Sequence, residues 1–348
     1  MLRAPIFLRG LLLATLALGL VPAGCSSARL QNAPDASEDA DPGPAEGGAA
    51  LPFPTTDAVE IRVNPQDGAA VLDAMKGATK SLHVSMYILS WKEAVDALID
   101  RKKAGVDVKV VLNRTFPDAT SNDAVFAQLQ GAGVPVVWGP AGYPFTHSKC
   151  VIVDGAIAWI MTMNLAFGAV QGNREFLAVD REPEDVAEAE SIFQADFSGA
   201  AATPTGALVV SPTNSRDRLM TLVGWATQSI DVEGESLSDA ALVTALSQAK
   251  GRGVEVRVLL ADRAPTPAGA QAVAALKQAG IPVRRLASPY VHAKALVADG
   301  RLAYVGSQNF TANSLDNNRE LGVVVSAATE VAKVAQTIAA DFAAGTPQ

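Results

Sequence analysis

The chain has 348 residues, of which 49% are hydrophobic but only 5% aromatic and 18% charged. That length can hold two medium domains, each with its own core, and the composition excludes a disordered chain and suits α/β layers. The formal charge of −8 opposes non-specific attraction to nucleic acid, whose backbone calls for a basic surface. Arg284 and Arg285 form the conspicuous short basic patch of the second half.

Residues 1–24 have the architecture of a signal peptide: Arg3 and Arg9, an apolar stretch over 10–21 that is short for a membrane span, then a small-residue end. Its removal would leave the mature chain two charges more negative. Ala23-Gly24-Cys25-Ser26 resembles the cleavage and acylation site of bacterial lipoproteins, with Pro22 where that family carries an aliphatic residue. A lipid on Cys25 would tether the protein rather than thread it. The expected location is therefore the bacterial cell envelope, secreted or periplasm-facing and lipid-anchored. Residues 25–56, rich in Ala, Pro, Asp, Glu, Gly and Ser, read as a solvated spacer. Cys150 would then be the remaining thiol, in an apolar strand pattern, so no internal disulfide is expected.

From residue 58 the pattern becomes regular. The sequence predicts a strand over 58–65, a helix over 67–79 starting at an aspartate cap, a strand over 81–89, a helix over 91–105 ending at Gly105, and a strand over 106–113. The second half predicts helix 216–227, strand 228–236, helix 237–253 and strand 254–262. Alternation of this kind points to an α/β fold with a mostly parallel sheet covered by helices.

The two halves also match each other. GVDVKVVLNR (105–114) aligns with GVEVRVLLAD (253–262), and GVPVV (133–137) with GIPVR (280–284). His147, Lys149, Asp154, Asn164, Asn173, Arg174 and Glu175 each recur 145 residues later as His292, Lys294, Asp299, Asn309, Asn318, Arg319 and Glu320. The chain has three histidines, so equal spacing of two such sets indicates an internal duplication. The two copies are expected as domains at 57–205 and 206–344.

In HSKCVIVD and HAKALVAD, strand alternation sends His and Lys to one face, with Val151 and Val153, and Cys150, Ile152 and Asp154 to the other. Asp154 and Asp299 precede glycines and suit a turn role. An imidazole can attack phosphorus or protonate a leaving oxygen, but one ring cannot conveniently do both, whereas two facing copies can. Lys149, Lys294, Asn164 and Asn309 can donate to non-bridging phosphate oxygens, and Glu175 and Glu320 can accept from the second imidazole nitrogen and fix its tautomer. A lysine beside each histidine would repel a divalent ion, and neither HExxH nor a cysteine cluster is present, so no metal and no cofactor is expected.

These segments resemble the paired HxKxxxxD motifs of the phospholipase D superfamily, with the downstream GSxN element at Gly306-Ser307-Gln308-Asn309. The resemblance covers most of 58–343. In the first copy Met161-Thr162-Met163-Asn164 departs from it: Thr162 keeps the hydroxyl of Ser307, and Met161 replaces a glycine and is expected to narrow the site. The resemblance implies two similar α/β/α-type domains related by pseudo-twofold symmetry, one central site and a phosphohistidine intermediate, with Asn173 and Asn318 supporting the site. His147 is assigned as nucleophile and His292 as acid and then base; the symmetry of the sequence leaves the reverse open.

The function this implies is a phosphodiesterase hydrolysing, or transferring, phosphatidyl groups at a membrane surface. The alternatives are an endonuclease of the same superfamily, a cardiolipin-synthase-like transferase, or a catalytically silent lipid-binding envelope protein. Two motifs complete one site in one chain, so no oligomer is required. His83 has no matched set and is expected to pack or make a peripheral hydrogen bond. Tyr143, Trp159 and Met163 are expected in the core, while Phe145, Met161 and Phe167 could meet an acyl chain.

Overall fold

A computed structural model describes residues 53–118 and 120–348. The leader, Cys25 and the spacer as far as residue 52 lie outside the described residues. Among the latter, no helix is long and apolar enough to cross a membrane.

The first half runs β1 (Val59–Asn64), α1 (Ala70–Gly77), β2 (Ser81–Met86), α2 (Lys92–Lys103), β3 (Asp107–Leu112), α3 (Asp123–Gly131), β4 (Val136–Trp138), β5 (Lys149–Val153), β6 (Ile157–Met161), α4 (Phe167–Gly172), β7 (Asn173–Asp180) and α5 (Pro183–Ser198). The second runs β8 (Val209–Ser211), α6 (Ser215–Trp225), β9 (Ser229–Gly234), α7 (Ala240–Gly251), β10 (Glu255–Ala261), α8 (Pro267–Gln278), β11 (Val283–Leu286), β12 (Tyr290–Val291), β13 (Lys294–Ala298), β14 (Leu302–Gly306), α9 (Ala312–Asp316), β15 (Glu320–Val325), α10 (Ala328–Ala344) and β16 (Thr346–Pro347). Each half forms a mixed sheet, in the orders β1-β7-β6-β5-β2-β3-β4 and β16-β11-β10-β9-β13-β14-β15-β8. These are the two similar α/β units expected of a duplication.

The sheets are not mostly parallel. Within each half, β2-β3-β4 and β9-β10-β11 are the parallel runs, joined by the helical crossovers that such pairs require. The motif strands β5-β6-β7 and β13-β14-β15 are antiparallel. A tight turn joins the first two of each trio, and such a turn can only connect antiparallel neighbours. The first helix also differs: it starts at Ala70 after an uncapped Ala69, because Asp67 is already in the turn that closes Ala70 N–H onto its carbonyl.

The motif strands separate two cores by parity. Val151 and Val153 pack with α1 and α2, and Cys150 and Ile152 face inward. A matching outer core lies beneath α6 and α7. Between the sheets, Val186, Ala189, Ile192 and Phe193 of α5 and Val331, Val334 and Ile338 of α10 join inward residues of both halves in one continuous core. Burial pushes the Cys150 thiol up, so it stays protonated.

Candidate active site

The turn after each motif strand comes first, because it sets where the strand begins. Asp154 and Asp299 adopt φ of 57° and 54°, each followed by a glycine at 63°, in the left-handed region that only glycine enters without cost. Asp154 accepts from the N–H groups of Thr79, Lys80 and Ser81 and from the Thr79 hydroxyl; Asp299 does the same with Thr227, Gln228 and Ser229. Both aspartates are thus turn anchors at the far end of the strand from the histidines.

At the near end, each histidine segment is stitched to the opposite half. The N–H groups of His147 and Ser148 both donate to the Arg319 carbonyl, at 2.8 and 2.9 Å, and His292 N–H donates to the Arg174 carbonyl at 3.1 Å. Tyr290 and Val291 pair in parallel with Asn173 and Arg174, and Thr146 bridges Arg319. The Arg174 guanidinium pairs with Asp341 of α10 (2.5 Å) and Arg319 with Asp196 of α5 (3.1 Å). The two arginines therefore lock the seam beneath the site.

The side chains cross the seam in the same way. His147 Nδ1–H donates to Glu320 Oε2 at 2.7 Å, and His292 Nδ1–H lies 2.8 Å from Glu175 Oε1 and 3.0 Å from Oε2. Each imidazole is oriented by the carboxylate of the other half, which fixes the tautomer and leaves Nε2 facing the cleft. Asn173 and Asn318 donate to Glu175 and Glu320 at 3.1 and 3.0 Å. Thr162 Oγ1 donates to Glu175 at 2.5 Å while accepting from Phe176 N–H. Ser307 bonds instead to the Leu321 backbone.

Lys149 and Lys294 are fully buried, donating to the carbonyls of their own motif histidines. Burial, then the charge of Lys294, lowers Lys149 to about 7. Burial lowers His147 to about 4 against the pull of Glu320, so the ring is neutral at physiological pH. Burial alone would raise Glu175 and Glu320, but the facing histidine and lysine outweigh it, and both stay ionised. Asn164 Oδ1 accepts from Ile88 N–H; the matching Asn309 Oδ1 has no hydrogen-bond partner among the described residues.

Met161 does not narrow the cleft. It is wholly buried in the outer core with Met163 and Leu177. Its counterpart must be glycine because a Cβ at Gly306 would lie 2.3 Å from Tyr304 Oη and 2.7 Å from Gly322 Cα. The first half solves the same packing with methionine and leucine. Phe167 is 56% exposed and Phe145 half-buried, while Trp159 and Met163 are core. Arg284 and Arg285 form no free basic patch, since both cap backbone carbonyls around β16 and β10. His83 bonds Glu190 at 2.8 Å and stacks on Phe193, away from the motifs.

Five residues at the site, Tyr87, Phe116, Glu235, Arg263 and Tyr290, were not singled out by the motifs. Tyr87 sets its ring 4.4 Å from that of His147, edge to face, and 5.0 Å from Lys149 Nζ, with Phe116 and Phe145 behind it. On the opposite side Glu235 meets Lys294 at 3.3 Å, His292 Nε2 at 3.7 Å, Arg263 at 2.7 Å and Tyr290 Oη at 3.2 Å. A cavity of about 190 Å³ adjoins Glu235, lined also by Ser236, Ser238, Arg263, Thr266 and Thr311. Its lining includes neither histidine. Alignment of the two strand ends, SLHVSMY against SIDVEGE, is the sequence signal that could have paired Tyr87 with Glu235.

Fold and site together define a duplicated phospholipase D-type protein with a catalytic domain of that family and phosphodiesterase chemistry. The family described as "Cardiolipin synthase, PLD-like domain" matches residues 71–197 and 219–344, and the chain belongs to it. Among its relatives, the minor cardiolipin synthase ClsB of Bacillus subtilis is 25% identical over 78% of each chain. A cardiolipin synthase of Geobacillus thermodenitrificans is 23% identical over 80% of this chain and 64% of its own length. The chain thus spans under two thirds of that second relative. The phosphatidylserine synthase of Haemophilus influenzae shares the fold, with a TM-score of 0.64 and 12% identity over 86% of this chain and 89% of that one.

Proposed function

We propose that the protein is an envelope phosphodiesterase acting on phosphatidyl lipids, with both domains, 57–205 and 206–344, contributing to one site. The observation that carries this reading is the crossed pairing of His147 with Glu320 and His292 with Glu175, which engages Nδ1 of each imidazole across the seam and leaves Nε2 for phosphate chemistry beside two buried lysines.

The neutral His147 is the nucleophile. Its Nε2 lone pair attacks phosphorus, forming an N–P bond as the bond to the leaving oxygen breaks, and that oxygen takes the proton of His292 Nε2. Water, or an alcohol, then gives a proton back to His292 and attacks phosphorus, and the N–P bond breaks. Lys149, Lys294, Asn164 and Asn309 hold the non-bridging oxygens as charge shifts onto them. Lys149, already near neutrality, takes up a proton as the phosphate anion arrives.

A lipid substrate is supported by the different characters of the two walls. The aromatic wall of Tyr87, Phe116 and Phe145 beside His147 suits the diacylglycerol side. The cavity on the Glu235 side, where Arg263, Arg285 and hydroxyl side chains sit among Leu237, Leu260 and Pro265, gives room for a head group leaving with the His292 proton. Relatives named as cardiolipin synthases and as a mitochondrial cardiolipin hydrolase act in the same direction, as does an acyl anchor at Cys25, which would hold the enzyme at its substrate's surface. The negative net charge opposes a nucleic-acid substrate.

The test is one assay on the full mature protein, in chelator, with phosphatidylglycerol and phosphatidylcholine micelles and single- and double-stranded DNA side by side. Head-group release that disappears in H147A and H292A is expected. DNA cleavage without lipid turnover would make it an endonuclease, and no product from either would make it a silent binding protein.

A further inference from the structure

The two copies differ at one position beside the reacting nitrogens. Met86 pairs with Lys149 across β2 and β5, and Gly234 with Lys294 across β9 and β13. The next residues, Tyr87 and Glu235, are therefore structural equivalents. A phenol stands against His147 where a carboxylate stands against His292.

The consequence is electrostatic. Burial raises the Tyr87 phenol to about 12, so the His147 side receives no charge from it. Glu235 is ionised, since Lys294, His292 and Arg263 outweigh its burial. His292 thus has a carboxylate on each ring nitrogen, Glu175 at 2.8 Å and Glu235 at 3.7 Å, while His147 has one, Glu320, and lies in the field of Lys149 and Lys294. At 3.7 Å the contact is longer than a hydrogen bond, which leaves Nε2 free to meet a substrate oxygen.

We propose that Glu235 is a positioning residue that makes the two histidines inequivalent, placing a carboxylate beside His292 Nε2 where His147 meets a phenol, and so setting the direction of the reaction. This rests on the phosphohistidine mechanism above. A carboxylate is tolerated beside an incoming phosphate because Arg263 and Tyr290 hold its other oxygen, so Lys294 can turn to the substrate while Glu235 stays in place. The titratable and charged groups facing Glu235 and His292 are Arg263 beyond β10, Tyr290 from β12 and Lys294 from β13 in their own half, and Glu175 from β7, Tyr87 beyond β2, His147 and Lys149 across the seam.

The test compares E235Q, which keeps the shape but gives up the charge and one of the two acceptor oxygens, with R263M, which removes the Arg263 ion pair but keeps the carboxylate. Two readouts are taken on the full chain: the pH profile of kcat/KM for short-chain phosphatidylglycerol, whose alkoxide leaving group needs a proton, and the nitrophenol burst from bis(4-nitrophenyl) phosphate, whose leaving group does not. The expected result is that the basic limb of the E235Q profile moves to lower pH by about one unit, with the burst amplitude retained, and that R263M leaves the limb in place. An unmoved E235Q limb with an intact burst, or an equal shift in R263M, overturns the role of Glu235 alone. No burst and no turnover in the unmodified protein overturns the mechanism beneath it.

Discussion

His147 and His292 stand on equivalent strands, with equivalent glutamates, asparagines and lysines, yet they differ in one neighbour: the phenol of Tyr87 stands against one and the carboxylate of Glu235 against the other. Duplication supplies two copies of each catalytic group, and divergence at the strand ends distinguishes them. The backbone lattice of the seam, with each histidine segment bonded to the other half's Asn-Arg-Glu segment, is what allows that division without loss of geometry.

The largest effects should come from the histidines. H147A and H292A are each expected to lower lipid turnover by about 10³-fold or more, but with bis(4-nitrophenyl) phosphate only H292A keeps the first-turnover burst. Equal loss of the burst in both would erase the distinction between the two sides. Next, E320Q and E175Q should each cost about 10²-fold, E320Q slowing the burst itself and E175Q slowing the turnover after it; stopped-flow traces separate the two.

Smaller effects sharpen the comparison at the hydroxyls. T162V removes a donor to the Glu175 carboxylate and is expected to lower kcat about tenfold, whereas S307A, which loses contacts only to backbone, should cost less. Steady-state rates on one lipid decide it. Between about pH 7 and the ordinary lysine range, substrate binding should take up a proton at Lys149; calorimetry in buffers of different ionisation enthalpy should show it, and K149M should lose it.

The turn anchors should behave alike in both halves. D154N and D299N are each expected to destabilise by about 1–3 kcal/mol with little change in kcat. Their backbone donors outweigh burial and hold both carboxyls below the ordinary range, so this contribution is present above the unfolded-state value and is lost as pH falls through the folded one. Denaturant midpoints at pH 7 and pH 3 should converge between each variant and the parent.

Much of this was legible because the motif residues recur at one offset and strand alternation fixes which of them share a face: His, Lys and Val151 on one side, Cys150 and Ile152 on the other. The crossed glutamates were not, since identical copies allow either pairing until the seam is seen. The antiparallel motif strands escaped because helix-strand alternation in the early part of each half dominated the pattern. Met161 was misplaced because its motif position suggested the cleft, whereas β6 alternation puts it with Trp159 in the outer core. Glu235 carried no repeat partner of its own type, and one glutamate in VEGES is indistinguishable from a solvated one until Lys294 and Arg263 close on it.

The most direct measurement is rapid-quench trapping during turnover, followed by peptide mapping of the acid-labile phosphoryl group. With bis(4-nitrophenyl) phosphate, whose leaving group needs no proton, the crossed, inequivalent site predicts the label on the peptide carrying His147, strengthened in H292A and absent in H147A. A label on the peptide carrying His292, or equal labelling of both, would contradict it.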